Sequence, residues 1–516
     1  MSRLLTSAQM RAADHRTIEE LGLPGMVLME NAGAAVTSFL QERLPEWRSR
    51  SVLVVAGCGN NGGDGFVIAR RLHQAKGRVT VALLGNPAML HGDALTHYQI
   101  LTRTGCVIEP LGSVEEVSRR LEFLLHHCLL VVDAIFGTGL TRPVGGLAAE
   151  AIRRINAHGK PVLAVDLPSG VCADTGRVLG CAIQARWTVT FAAEKRGHRL
   201  YPGAGLRGEL MVAPIGIPDD YLTIPQHTVA LNLPHDLPIP KCPVEAHKGD
   251  CGRLLIVAGS SGMEGAAILV AHGAARVGAG LLLVATPASA QPVVTAGIIE
   301  AMTVALPGGT QADEALEAIT TTRFQPDLIA IGPGLRETPW SRDLLTRLIQ
   351  GRDLPVILDA DALNLLAGQG DKIRHWSSTR RAPLILTPHP GEMARLMKMP
   401  IAEVQLDRLS VAMRMAKEWG VWLVLKGAGT VIAAPDGRAW INATGNPGLA
   451  AGGSGDLLTG MIAGLLAQGW PVESAVRGGV WLHGAAADAS AAEQGMAGLV
   501  ASDLLPYIRR LRDTMG

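Results

Sequence analysis

The chain is poor in aromatic residues, 4% of 516 positions, although 48% of it is hydrophobic. A core of that kind relies on Ala, Val, Leu and Gly, the balance found where helices pack closely on parallel sheets. Charge of either sign in excess is missing too, because 47 basic and 46 acidic side chains leave a formal +1. With both signs interleaved, nothing argues for a nucleic-acid surface or an electrostatic membrane anchor, and acidic ligands need local sites. Cysteines are few and odd in number, seven. Cys58, Cys106, Cys128, Cys172, Cys181, Cys242 and Cys251 show no paired metal spacing, which favours reduced packing residues over disulfides. A long apolar stretch is absent from the N-terminus, where residues 1–14 are polar and helix-like. No secretory signal or membrane span is expected, and the cytoplasm is the default compartment.

What is present is a rhythm. A chain of this length exceeds a single core, so two or three domains are expected. Short apolar runs at residues 52–56, 79–84, 129–132, 162–165 and 188–191 alternate with helical stretches such as 63–74, which puts Phe66, Ala69 and Leu72 on one side. The same alternation resumes at residues 253–258. Runs of four to six apolar residues without polar alternation predict parallel strands covered on both faces. Between the halves, Pro218, Pro225, Pro234, Pro238, Pro240 and Pro243 mark a linker. The expected fold class is α/β with two doubly wound domains, residues 1–217 and 249–516, joined by a proline-rich linker over 218–248. Their glycine motifs differ in spacing, which indicates two unrelated modules and not a repeat.

The most informative stretch is Asn446-Pro447-Gly448-Leu449-Ala450-Ala451-Gly452-Gly453-Ser454-Gly455-Asp456, followed by the apolar residues 457–466. A small-residue turn opening a helix aims several backbone N–H groups at one spot, where an anion gains hydrogen bonds and the positive end of the dipole. Asp456 either caps that helix or takes a proton from a group approaching the anion. The turn has company at other strand ends: Gly332-Pro333-Gly334-Leu335, Asp359-Ala360-Asp361-Ala362-Leu363-Asn364, Pro388-His389-Pro390-Gly391-Glu392 and Lys426-Gly427-Ala428-Gly429-Thr430. Together these motifs, over residues 249–508, resemble the ribokinase-like fold, and more closely its branch of ADP- or ATP-dependent NAD(P)H-hydrate dehydratases. Sugar kinases of that fold usually carry Gly-Ala-Gly-Asp where this chain has Gly453-Ser454-Gly455-Asp456, a departure that favours the hydrate-repair branch.

In the first half, Gly57-Cys58-Gly59-Asn60-Asn61-Gly62-Gly63-Asp64-Gly65 follows the first strand. Its glycine spacing is not the dinucleotide fingerprint, and no acidic residue follows the second strand. Taken alone, Asn60 and Asn61 would be residues tolerant of left-handed backbone and Asp64 a first-turn cap. Two more polar strand ends, Asp133 with Gly137-Thr138-Gly139-Leu140 and Asp166-Leu167-Pro168-Ser169-Gly170, make a pocket at one sheet edge. With Met29-Glu30-Asn31-Ala32-Gly33 and Lys195, these loops resemble the NAD(P)H-hydrate epimerase family over residues 7–217, which implies a Rossmann-like three-layer domain.

The two resemblances carry site expectations. On the epimerase side they imply a hydrate held by Asn60, Asn61, Gly62, Gly63, Asp64, Gly137, Thr138, Gly139, Leu140, Thr141, Arg142, Pro143 and Asp166, and a potassium ion near Asn61, Asp133 and Ser169. Asp166 is the choice for the proton-transferring group, with a cap beside a Pro turn as the competing role. On the dehydratase side Lys426, Gly427, Ala428, Gly429, Thr430 and Gly455 line the adenine-nucleotide site, while Ala267, Gly334, His389 and Asp456 face the hydrate. His389 is equally readable as an imidazole packed in its turn, and Glu392 as a magnesium ligand through water or as an exposed turn carboxylate. The implied partners are small molecules, NADH and NADPH hydrates with ADP or ATP and magnesium, and a homo-oligomer is expected. The alternative is a vitamin-precursor or sugar kinase carrying a regulatory nucleotide-binding module. A non-enzymatic scaffold is disfavoured by the retention of both sets of polar loops.

Overall fold

The computed structural model describes residues 3–223, 228–238, 240, 244–309 and 312–515. Pro225, Pro243 and Cys242 lie outside them. The chain divides into two compact units, residues 3–227 and residues 228–516.

The first unit is built on seven parallel strands: β1 (Ser51–Ala56), β2 (Arg78–Leu84), β3 (Val107–Leu111), β4 (Cys128–Ala134), β5 (Val162–Val165), β6 (Trp187–Phe191) and β7 (Glu209–Ala213). Their order is β3-β2-β1-β4-β5-β6-β7. Val52, Val54 and Ala56 face one core and Leu53 and Val55 another, as the period-2 alternation of a strand covered on both faces requires. Helices α1 (Ser7–Glu19), α2 (Gly25–Arg43) and α3 (Asn60–Gln74) belong to this unit. Phe66, Ala69 and Leu72 of α3 are fully buried; each of the two large ones stabilises the unit by about 1.5–3 kcal/mol relative to exposure. The strand order reverses between β1 and β4, so the loops after those strands open a crevice at the carboxyl edge.

One expectation needs correction here. Residues 60–62 are not a loop before a helix starting at Gly63, because α3 begins at Asn60. The reason is close approach: a methyl group on Gly62 would lie 1.9 Å from the Gly57 carbonyl oxygen. Only glycine lets the first turn of α3 sit on the end of β1.

The second unit carries ten strands, β8 (Val229–Leu231), β9 (Arg253–Val257), β10 (Leu281–Pro287), β11 (Met302–Leu306), β12 (Leu328–Ile331), β13 (Val356–Leu358), β14 (Leu384–Leu386), β15 (Trp422–Leu425), β16 (Val431–Ala433) and β17 (Ala439–Ile441). They run β11-β10-β9-β12-β13-β14-β15-β16-β17-β8. Pairing is parallel from β11 to β15 and antiparallel through β16 and β17. The linker expectation over 218–248 is corrected in part, because β8 pairs parallel with β17 and Asn232 donates to Asn442 Oδ1 at 3.0 Å. Three apolar residues closing an open sheet edge outweigh the prolines around them.

The candidate functional sites

In the first unit the polar groups converge on Asp166. Its φ of 69° is left-handed, a costly setting for a non-glycine residue that surrounding contacts must hold. Its own N–H donates to Val189 O at 2.8 Å, and its carbonyl meets His198 Nε2 at 2.8 Å. His198 Nδ1 accepts from the Lys195 N–H at 3.0 Å, so Nε2 carries the proton. Burial and the Lys195 charge push His198 down to about 4, which keeps it neutral. Lys195 Nζ, buried, donates to Asp166 Oδ1 at 2.7 Å, to Thr190 Oγ1 at 2.8 Å and to Phe191 O at 2.9 Å. Thr190 Oγ1 donates to Asp166 Oδ1 at 2.9 Å and the Thr138 N–H to Oδ2 at 3.2 Å. Burial alone would raise the Asp166 carboxyl, but the Lys195 charge and these hydrogen bonds outweigh it and hold it below its ordinary value. Asp166 therefore does not cap its own turn.

The neighbouring loops behave similarly. Asp133 is the penultimate residue of β4, not a loop residue, and it accepts from Ser169 Oγ at 2.6 Å and the Ser169 N–H at 2.8 Å. Burial raises it to about 6 against those bonds. Asn61 is buried with its Nδ2 unpartnered, while a methyl on Gly137 would meet Asp166 Oδ2 at 3.0 Å and Asn61 Oδ1 at 3.2 Å. Asn60 and Asn61 are helical, so left-handed tolerance does not explain them, and no side chain caps α3. Thr138 and Leu140 are half-buried, whereas Gly139, Thr141, Arg142 and Pro143 are exposed. Thr190 and His198 were not identifiable from the sequence, and neither was Asp14 on α1. Leu5 bridges to Lys195 and brings α1 to this edge, and the charges of Lys195 and Asp166 both act on Asp14.

In the second unit the helix Ser454–Ala467 has Gly453 as its N-cap, at φ 85°, and no side-chain cap. Asp456 is in the first turn but forms no capping bond. Burial, reinforced by the Asp359 charge and opposed by Lys426, raises it to about 6. Lys426 Nζ donates to Asp359 Oδ1 at 2.6 Å and lies 3.9 Å from Glu392 Oε2. Thr459 Oγ1 donates to Asp359 Oδ2 at 2.7 Å. A methyl on Gly455 would lie 3.1 Å from Lys426 Nζ, so the bare first turn leaves the ammonium beside the helix N-terminus. Ala360, at φ 50°, is strained between Asp359 and Asp361, and Asp361 accepts from the Arg336 N–H at 2.8 Å.

His389 caps the helix Pro390–Met397: its Nδ1 accepts from the N–H groups of Gly391 at 2.9 Å and Glu392 at 3.4 Å. Its Nε2 lies 3.4 Å from Glu392 Oε1, and the side chain is 50% exposed. Glu392 is buried, not an exposed turn carboxylate. It completes that capping box by accepting from the His389 N–H at 2.7 Å, and burial raises it to about 7. Arg408, unremarked in the sequence, braces the Lys426–Thr430 loop by donating to Ala428 O at 2.7 Å and to Leu425 O and Lys426 O, each at 3.0 Å. Gly427 has φ 137°, Gly429 has φ 63°, and Thr430 Oγ1 donates to Gly427 O at 2.9 Å. Ala267 is fully buried, and Gly334 lies against Met263 and Ala266.

Among the described residues one group is spaced to share a metal ion, Glu122, His126 and His158. It precedes β4 and β5, at the sheet edge opposite the polar loops, and Glu122 already pairs with Arg154 at 3.0 Å. No described helix is long and apolar enough to cross a membrane.

Fold and loops define a Rossmann-like module fused to a ribokinase-like one, each with a polar site at the carboxyl edge of its sheet. The model of the YjeF-related protein N-terminus matches residues 25–197, and that of NAD(P)H-hydrate dehydratase matches residues 254–510. A bifunctional NAD(P)H-hydrate repair enzyme (Nnr) of Moorella thermoacetica is 43% identical, over 98% of this chain and 96% of its own. That of Thermofilum pendens is 41% identical over 97% and 94%, and that of Escherichia coli 36% over 97% and 92%. The crystal structure of an ADP/ATP-dependent NAD(P)H-hydrate dehydratase from Bacillus subtilis, with ATP and magnesium, is 36% identical, covering 55% of this chain and 96% of that one at a TM-score of 0.48. The chain belongs to the family of bifunctional NAD(P)H-hydrate repair enzymes.

Proposed function

We propose that this chain restores hydrated NADH and NADPH in two steps, its first unit interconverting the R and S hydrates and its second dehydrating the S hydrate at the expense of ADP, giving AMP and phosphate. The observation that carries the reading is Asp456, uncapping and uncapped at a bare helix N-terminus with Lys426 beside it. The hydrate bears a hydroxyl on the carbon next to the ring nitrogen, and hydroxide leaves poorly at neutral pH. Asp456 takes the hydroxyl proton, the oxygen attacks the terminal phosphorus, and the helix N-terminus receives the charge moving through the phosphoryl group. The ring nitrogen then expels phosphate and the adjacent carbon loses a proton, which regenerates the dihydropyridine. Lys426 to Thr430 hold the nucleotide.

Magnesium would neutralise the nucleotide's phosphates, and Glu392 would reach it only through water because one carboxylate oxygen caps a helix. Asn61, Asp133 and Ser169 offer an oxygen donor set whose chemistry suits a hard cation. Potassium there would help position the hydrate. A cytoplasmic homo-oligomer is the state this reading carries, checked by light scattering.

The test is purified chain, mixed hydrate epimers and either nucleotide, following reduced-nicotinamide absorbance and inorganic phosphate. Recovery of absorbance with one phosphate released per turnover is expected. Accumulation of a stable phosphorylated product with no absorbance gain would establish a vitamin-precursor or sugar kinase instead.

A further inference from the structure

Inverting the hydroxyl-bearing carbon asks for two proton-transfer groups, because the face that loses oxygen is not the face that gains it. Asp166 is one. Asn61 and Asp64 are three residues apart on α3, hence on one face of the helix, and Asn61 Oδ1 closes on the same gap beside Gly137 as Asp166 Oδ2. Asp64 follows one turn along that face, near enough for the Asp166 charge to act on its carboxyl. Its carboxyl forms no hydrogen bond among the described residues, in contrast to the fully engaged Asp166, and it caps nothing. Asp14 of α1, also without a hydrogen bond, lies near enough for its charge to act on Asp64.

Deepening the epimerase reading, on which this rests, we infer that Asp64, backed by Asp14, is the general acid that faces Asp166 across the hydrate. The nitrogen lone pair forms the C=N bond as the carbon–oxygen bond breaks, and the departing hydroxide takes the Asp64 proton and leaves as water. A second water adds to the opposite face of the flat cation and gives its proton to Asp166. Transfer of that proton back to Asp64 restores both carboxyls, so one water leaves and one enters per inversion. The charged surroundings support the assignment. Burial together with the Asp166 and Asp14 charges raises Asp64 well above the carboxylate range, while Lys195 holds Asp166 below it. Two carboxyls pushed apart in this way are the arrangement that acid and base roles need. Of the other charged groups nearby, His198 is neutral and Glu30 on α2 is paired with Arg70 and Arg71.

The experiment follows exchange between R and S hydrates by NMR in ¹⁸O-labelled water, with hydrate binding titrated in parallel. Wild type should incorporate one solvent oxygen per inversion. At saturating hydrate Asp64→Asn should invert it about 10²–10⁴-fold more slowly, and Asp64→Glu should recover part of the rate, which a folding defect would not allow. Inversion without label, an Asp64→Asn rate within a fewfold of wild type, or loss of binding alone would overturn the assignment. Failure of wild type to accelerate exchange at all would instead remove the epimerase reading itself.

Discussion

Both units bury an aspartate and a lysine at the carboxyl edge of a sheet, yet they wire them differently. In the first, Lys195 bonds Asp166 directly and keeps it ionised. In the second, Lys426 bonds a different carboxylate, Asp359, and Asp456 is left with burial dominant and a proton affinity raised to about 6. The difference teaches that a buried lysine tunes a carboxyl by which partner it holds, not by proximity alone. Fixed pairing suits a base that must stay ionised and stationary through an inversion. Diverted pairing leaves one carboxyl near the pH at which a base works best and one ammonium that an incoming phosphate can recruit from Asp359.

The largest expected effects break each half of that comparison in turn. Asp456→Asn should lower nucleotide-dependent dehydration by about 10²–10⁴-fold, the usual cost of a lost general base, while hydrate exchange measured by NMR is unchanged. Dehydration within a fewfold of wild type would sink the role of Asp456. Asp166→Ala should leave dehydration of the S hydrate intact and strand the R hydrate, so a mixed sample recovers in a fast phase followed by slow spontaneous exchange. Omitting potassium should give a similar biphasic trace if Asn61, Asp133 and Ser169 hold that ion. A single phase as fast as wild type would reduce Asp166 to a structural residue.

A smaller effect is expected at Lys426. Lys426→Ala should weaken nucleotide binding about 10–100-fold, the range of a charge-assisted hydrogen bond, and hydrate binding much less; calorimetric titration of each ligand separately reads both. Unchanged nucleotide affinity with lost hydrate affinity would reverse the assignment of this loop.

The strands buried on both faces could be read from their apolar runs, and β5 matches residue for residue at 162–165. The edge strands could not. β3, Val107–Leu111, carries a glutamate and a proline, and β7 begins on Glu209, because an edge has one partner and a wetter face. Residues 229–231 were hidden among prolines for the same reason. Loop motifs singled out Asp166 and Asp456 because glycines beside a carboxylate leave a local signal. The partners that set their chemistry leave none, since Lys426 and Asp359 are 67 residues apart and Thr190 and Asp166 are 24 apart. Asp14 sits in an ordinary polar helix, and the Leu5 bridge to Lys195 brings that helix to the site.

The smallest expected effect tests the diverted pairing itself. Asp359→Asn keeps an acceptor for Thr459 but removes a negative charge that raises Asp456, and it frees Lys426 from its ion pair. Both changes favour the carboxylate, so the folded-state proton affinity of Asp456 falls. The base works only when ionised, and with its value at about 6 it is roughly nine-tenths ionised at pH 7 already. At neutral pH the variant should therefore differ little from wild type on this account. The acid limb of the dehydration profile, expected near 6 in wild type, should move to lower pH, and the variant should outpace wild type relative to its own plateau in mildly acidic buffer. A limb that stays in place would mean that burial alone sets Asp456, and that Asp359 serves Lys426 without reaching the base.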